Sequence, residues 1–238
     1  VSAQSSPIEL AQRIREVTRS SRQSSPRPAA TAPATAAAPT NGKLILIGSS
    51  TGGVDALMNV LSAFPANCPP TLIVQHTGGG FGTSLVRLLD RQCAASVTLA
   101  ADNQPLSAGR IVVAAGTKAH LMLAANGTPS AGLSPGAPVN GHMPSVDALF
   151  ESALPVARRV VAAILTGMGR DGAQGMKALA DRGAVTIAQD QATSVVYGMP
   201  RAACELGAAQ SSLPLQQIGP AILRACQGEA GASRRIST

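Results

Sequence analysis

Aliphatic residues in this chain gather into short unbroken runs, separated by stretches in which they recur at helical spacing. Leu44-Ile45-Leu46-Ile47, Leu72-Ile73-Val74 (within 70–75) and Val160 to Leu165 (within 159–165) show no polar alternation. That is the pattern of strands covered on both faces, as in a parallel sheet. After the first run, Val54, Leu57, Met58 and Leu61 fall at i, i+3, i+4 and i+7 and predict a helix. Phe81, Leu85, Leu88 and Leu89 predict another over 81–91, Ser145 opens and caps one over 145–150, and three more are predicted over 173–181, 200–206 and 215–226. Short strands are predicted at 96–100 and 184–188. Gly109 to Ala114 and His120 to Leu123, separated by Gly116-Thr117-Lys118, read as a hairpin, and the Gly/Pro/Asn/Ser-rich residues 125–144 as a long surface loop. Strands alternating with helices predict an α/β fold: a doubly wound, mostly parallel sheet with helices on both faces and an inserted antiparallel hairpin.

The first 42 residues break this pattern. Ser6-Pro7-Ile8-Glu9 is a capping-box start, and Ile8, Ala11, Ile14 and Val17 make an apolar stripe. Residues 1–19 are expected to be the terminal helix left from a preceding domain. Residues 20–42, almost all Ser, Arg, Pro, Ala and Thr, cannot bury a core and predict a flexible linker. One globular domain is expected over 43–226 and a frayed tail over 227–238. The chain opens on Val1 rather than Met, which suggests a piece of something longer.

Composition narrows the classes. With 45% hydrophobic residues but one Tyr, three Phe and no Trp, the core must be built from Ala, Val, Leu and Ile. The net charge of +7 owes much to Arg13, Arg15, Arg19, Arg22 and Arg27 in the N-terminal stretch. Too few aromatics to stack bases, and no binding module, argue against a nucleic-acid partner; an acidic protein surface suits the same charge. Cys68, Cys93, Cys204 and Cys226 are widely spaced, without C-x-x-C, and read as free thiols in a reducing compartment. No apolar stretch approaches membrane-spanning length and no signal peptide opens the chain, so a cytoplasmic protein without membrane insertion is expected.

The chemistry gathers at three strand ends. Gly48-Ser49-Ser50-Thr51-Gly52 fits G-x-S-x-G on a strand-to-helix turn, with Ser50 in the central place of a nucleophile elbow. The same stretch also fits a phosphate cradle or a plain tight connection. His76 ends the second buried run and Asp171 follows the third. In a doubly wound sheet, ligands bind beyond the carboxyl ends of the strands. A serine hydroxyl needs a base, imidazole titrates near neutrality at about 6.5, and a carboxylate on the far ring nitrogen fixes its tautomer. Each residue also has a structural alternative: His76 as a loop histidine, Asp171 as the cap of the next helix. His120 and His142 rank lower as bases, Asp147 reads as a solvated face or a loop anchor, and the histidines lack zinc-ligand spacing. The order Ser, His, Asp differs from that of α/β-hydrolases.

Several blocks together resemble one known family. Ile47-Gly48-Ser49-Ser50-Thr51-Gly52-Gly53, Val74-Gln75-His76, Pro138-Val139-Asn140, Pro144-Ser145-Val146-Asp147 and Leu165 to Ala173 (Leu-Thr-Gly-Met-Gly-Arg-Asp-Gly-Ala) are similar to the blocks of the bacterial chemotaxis protein-glutamate methylesterase catalytic domain. Ala188-Gln189-Asp190 and Tyr197-Gly198-Met199-Pro200 add to the match, in order, over 43 to about 226. The resemblance implies Ser50 as nucleophile, His76 as general base, Asp171 as orienting carboxylate, and Thr51 and Met168 at the oxyanion site. It implies hydrolysis of glutamate γ-methyl esters on chemoreceptor cytoplasmic helices, with receptor-glutamine deamidation as a second activity, and no metal or organic cofactor. It further implies a monomer regulated by a receiver domain in cis and a histidine kinase, the join being at residues 1–42. Two departures bear on substrate grip: Thr77-Gly78-Gly79-Gly80 stands where the family has Met and prolines, and Gly141 and Met143 stand where it commonly places Arg. The rivals are a phosphate-binding module, which would want a lysine in the turn, and a signalling-only relative, against which Ser50, His76 and Asp171 all argue.

Overall fold

The computed structural model describes residues 42–124 and 128–228; the helix expected before residue 20, nearly all of the linker and most of the C-terminal tail lie outside them. A seven-stranded sheet runs β10-β9-β8-β1-β2-β5-β3, with every neighbouring pair parallel. Its strands are β1 (Leu44–Ser49), β2 (Thr71–Gln75), β3 (Ser96–Leu99), β5 (Arg110–Ala115), β8 (Val160–Ile164), β9 (Val185–Gln189) and β10 (Ser211–Leu213). All residues of β1, β2 and β8 are buried, as their unbroken aliphatic runs require.

Because successive side chains on a strand point to opposite faces, the sheet divides its own residues between two cores. Leu44, Leu46, Leu72, Val74, Ala162 and Ile164 face one way. They pack with α3 (Val146–Ser152), α4 (Ala173–Asp181) and α5 (Met199–Glu205). Ile45, Ile47, Ile73, Val113, Val161 and Ala163 face the other way, against α1 (Gly53–Ser62), α2 (Gly82–Gln92) and α6 (Leu215–Cys226). Each fully buried Leu or Ile contributes roughly 1.5–3 kcal/mol, so both helical layers are held by the same few strands. From β1 the chain crosses to β2 on one side, and β8 later lies on the other, so the strand order reverses between β1 and β8. The carboxyl ends of β1, β2 and β8 therefore open onto the switch-point crevice.

The antiparallel insertion exists but is built differently from the sequence expectation. β5 does not pair with the strand after it; it lies between β2 and β3, parallel to both. A strand with Ile111 to Ala115 all buried needs covering on both faces, which the sheet interior supplies. The chain leaves β5 at Gly116, whose φ of +62° a side chain disfavours. β6 (His120–Ala124) instead pairs antiparallel with β7 (Ser130–Ser134), and β4 (Gln104–Pro105) completes a separate three-stranded sheet. β7 lies inside the stretch expected to be all loop. Of its residues only Ala131 is buried, so no apolar run announced it. A 3-10 turn (Leu154–Arg159) leads into β8. The four cysteines are free, Cys68 and Cys226 buried and the other two half-buried; burial pushes the thiols of Cys68 and Cys226 up to about 12.

Candidate active site

Ser49 and Ser50 end β1 in opposite environments. Ser49 is fully buried, and its hydroxyl donates to Gln75 Oε1 at 2.6 Å. Ser50 is half-buried. The glycines around it are closely packed. A Cβ on Gly48 would lie 2.3 Å from Val146 Cγ1 and one on Gly53 2.1 Å from Gln75 Oε1, while Gly52 has a φ of +79°. The turn also carries no lysine of the kind a phosphate cradle would use. The residue that must stay small beside the serine is Gly167, whose Cβ would stand 2.6 Å from Ser50 Cβ.

Gln75 is a site residue that the sequence did not single out. Its Nε2 donates to the carbonyls of both Ser50 (2.9 Å) and His76 (2.8 Å), and His76 N–H donates to Ser49 O at 2.9 Å. One buried amide thus laces the serine turn to the loop that carries the histidine. Its sequence signals are a polar residue closing an apolar strand and a place in the Val74-Gln75-His76 block.

His76 Nε2 and Asp171 Oδ2 are 2.9 Å apart, and the His76 side chain is 7% exposed. Asp171, fully buried, accepts from Val146 N–H (2.7 Å), Ser145 Oγ (2.8 Å), Asp147 N–H (3.2 Å) and Asn140 Nδ2 (3.3 Å) as well. Burial alone would raise its pKa, but the hydrogen bonds from His76, Val146, Ser145 and Asp147 outweigh it and bring the carboxyl to about 2. An ionised carboxylate makes Nε2 the protonated ring nitrogen, so Nδ1 carries the lone pair. Nδ1 is buried without a hydrogen-bond partner. Asp171 does not cap the helix that follows it, since Gly172 opens α4 with no side-chain cap. It receives instead the first N–H groups of α3, where Ser145 has the double task of capping Ala148 N–H and donating to Asp171.

Ser50, Thr51 and Met168, the other expected site residues, make no hydrogen bond to His76 or Asp171 among the described residues. Ser50 N–H donates to Thr166 O at 3.0 Å and is not available to a substrate. Thr51, exposed on the turn, and Met168, 69% exposed on the bend after β8, have N–H groups that meet no protein acceptor among the described residues. Thr166 ties the two turns together, its hydroxyl donating to Thr51 O and accepting from Val196 N–H, each at 2.9 Å. Met168 also borders a cavity of about 660 Å³ whose lining includes Arg170, Gln174, Tyr197 and Arg201.

Asp147 proves to be a buried anchor rather than a solvated face: it accepts from Asn140 Nδ2 (2.6 Å) and Gly175 N–H (2.7 Å). His120 is structural, with Nδ1 accepting from Ser145 N–H and Nε2 donating to Ala137 O. His142 is closer to the chemistry than the sequence suggested, because its ring stacks on that of His76. The departures Thr77, Gly141 and Met143 line a second cavity of about 350 Å³ with the two stacked histidines. Among the described residues, no group of three His, Cys, Asp or Glu is disposed to hold a metal ion, and no helix is long and apolar enough to cross a membrane.

Comparison with known proteins matches residues 45–222 to the family model described as CheB methylesterase. A Rhizobium etli relative named protein-glutamate methylesterase/protein-glutamine glutaminase is 48% identical over 219 residues, covering 91% of this chain and 63% of its own length. One of the same name from Gluconobacter oxydans is 50% identical over 210 residues, covering 87% and 60%. The chain thus spans less than two thirds of these relatives. The crystal structure of the Thermotoga maritima CheB methylesterase catalytic domain superposes with a TM-score of 0.74 at 36% identity, over 77% of this chain and 98% of that one.

Proposed function

The chain belongs to the CheB methylesterase family, and on that premise we propose that it hydrolyses glutamate γ-methyl esters on the cytoplasmic helices of chemoreceptors. The observation that carries the proposal is the imidazole of His76, pinned through Nε2 to an ionised, buried Asp171 with Nδ1 unpartnered, on a loop whose His76 N–H donates to Ser49 O next to Ser50. That is a base held ready for a hydroxyl.

In the mechanism, Nδ1 takes the Ser50 proton as Oγ attacks the ester carbonyl, and Asp171 stabilises the imidazolium without accepting its proton. The N–H groups of Thr51 and Met168 receive the oxyanion, each such donor contributing about 3–4 kcal/mol at comparable sites. The tetrahedral intermediate collapses, His76 returns the proton, and methanol leaves. A water deprotonated by His76 then attacks the acyl-serine, releasing the glutamate carboxylate and restoring Ser50. A glutamine substrate follows the same course with ammonia as the leaving group, which suits the second activity in the relatives' names. The reaction draws on no cofactor. As part of a longer cytoplasmic protein, the domain would follow a receiver domain joined through residues 1–42 and released from inhibition by a histidine kinase.

Methanol release from methylated receptor cytoplasmic fragments tests the proposal. Wild type is expected to release it, Ser50→Ala to release none, and Ser49→Ala to release it more slowly because Gln75 loses a donor. Absence of release from all three folded proteins overturns the reading.

A further inference from the structure

His76 is tethered at one corner only. Its hydrogen bond to Asp171 fixes Nε2, while Nδ1 has no partner, so that bond by itself leaves the ring free to tilt about its axis. A second contact removes this freedom. The ring of His142 lies on the ring of His76 with centroids 3.8 Å apart and planes within 6°.

The turn that delivers His142 is built to hold it there. Val139 and His142 exchange both backbone hydrogen bonds, at 3.1 and 2.9 Å. Between them, Asn140 and Gly141 both adopt positive φ, +52° and +78°. Asn140 Nδ2 then reaches Asp147 Oδ2 and Asp171 Oδ1 together, so the turn is pegged to the carboxylate that orients the base. His142 itself is only half-buried and belongs to neither hydrophobic core. Burial, with His76 alongside, draws its pKa below the ordinary histidine value, with Asp171 opposing. A neutral ring against a developing imidazolium attracts it, whereas a second cation would repel it.

We propose that His142 is a positioning residue for the base, its ring holding the His76 imidazole in the plane that directs Nδ1 to Ser50. The role rests on Ser50 and His76 acting as nucleophile and base.

The test uses p-nitrophenyl acetate, an activated ester that needs the nucleophile and base but no receptor, with Ser50→Ala as the background control. His142→Ala is expected to lower kcat about tenfold while changing KM little, and His142→Phe, which keeps a flat ring without a titrating group, to recover the rate to within about twofold. In ¹H NMR the His76 Cε1 proton should lose its ring-current shift in the Ala variant and keep it in the Phe variant. An Ala variant with unchanged kcat, or a Phe variant as impaired as the Ala one, overturns the proposal. A wild type no faster than Ser50→Ala instead overturns the nucleophile reading beneath it, a result distinct from either because it needs no His142 variant.

Discussion

Asp147 and Asp171 are two carboxylates of nearly equal burial, bridged by one amide, yet their charges are treated in opposite ways. Asp171, fully buried, collects five donors: His76 Nε2, Ser145 Oγ, the N–H groups of Val146 and Asp147, and Asn140 Nδ2. Its pKa falls to about 2. Asp147, 2% exposed, is held by the Asn140 amide and the Gly175 N–H. There burial dominates, the charge of Asp171 adds to it, and the pKa rises. What separates the two carboxylates is therefore the number of donors converging on each. Depth does not distinguish them.

The largest effect expected from breaking this contrast is in Asp171→Asn. An amide there removes the charge facing the imidazolium and permits the wrong tautomer, and turnover should drop about 10⁴-fold. Asp147→Asn should keep turnover within about tenfold while lowering stability by about 1–3 kcal/mol, because its new NH₂ must face a donor that it now repels. Turnover measured beside a denaturant titration separates the two, and an Asp147→Asn as inactive as Asp171→Asn would erase the distinction.

Acid unfolding sharpens the contrast next. Asp171 has a folded pKa of about 2 against the ordinary 3.8, so its contribution is fully present above 3.8 and is lost as pH falls toward 2. The loss should be on the order of 2 kcal/mol. Asp147, with its raised value, works the other way: stability declines as pH rises from its unfolded toward its folded pKa. Wild type should therefore lose more stability between pH 4 and 2 than Asp171→Asn does, as read by chemical denaturation at each pH. Ser145→Ala takes one donor from Asp171 and the cap from α3, with an expected cost of about 1–2 kcal/mol and a weaker hold on the acid limb. The smallest effect belongs to Asn140→Gly, which keeps the positive φ but removes the bridging amide. About 1 kcal/mol of stability should go, with the His142 turn loosened, as a thermal melt and the His76 ring shift together would report.

The sequence by itself determined the doubly wound sheet and the three strand ends that carry Ser50, His76 and Asp171. Both follow from local chemistry: unbroken aliphatic runs at 44–47, 72–74 and 160–165 can be covered only inside a parallel sheet, and glycine-rich turns must follow them. The resemblance of the blocks pointed to Ser50, His76 and Asp171, of which the structure joins His76 to Asp171 by a hydrogen bond. Tertiary structure alone decided the rest, because each missing fact is a pairing between residues far apart in the chain. β5 and β6 are separated by a turn short enough for a hairpin, yet the buried faces of β5 are satisfied only between β2 and β3. Gln75 reads as the last residue of a strand until its amide is seen to reach two loops. His142, set in a Gly/Pro-rich loop, gains a role only when the Val139–His142 turn folds it onto His76. Periodicity records which residues seek burial; which donor meets which carboxylate depends on distances that exist only after the chain has closed.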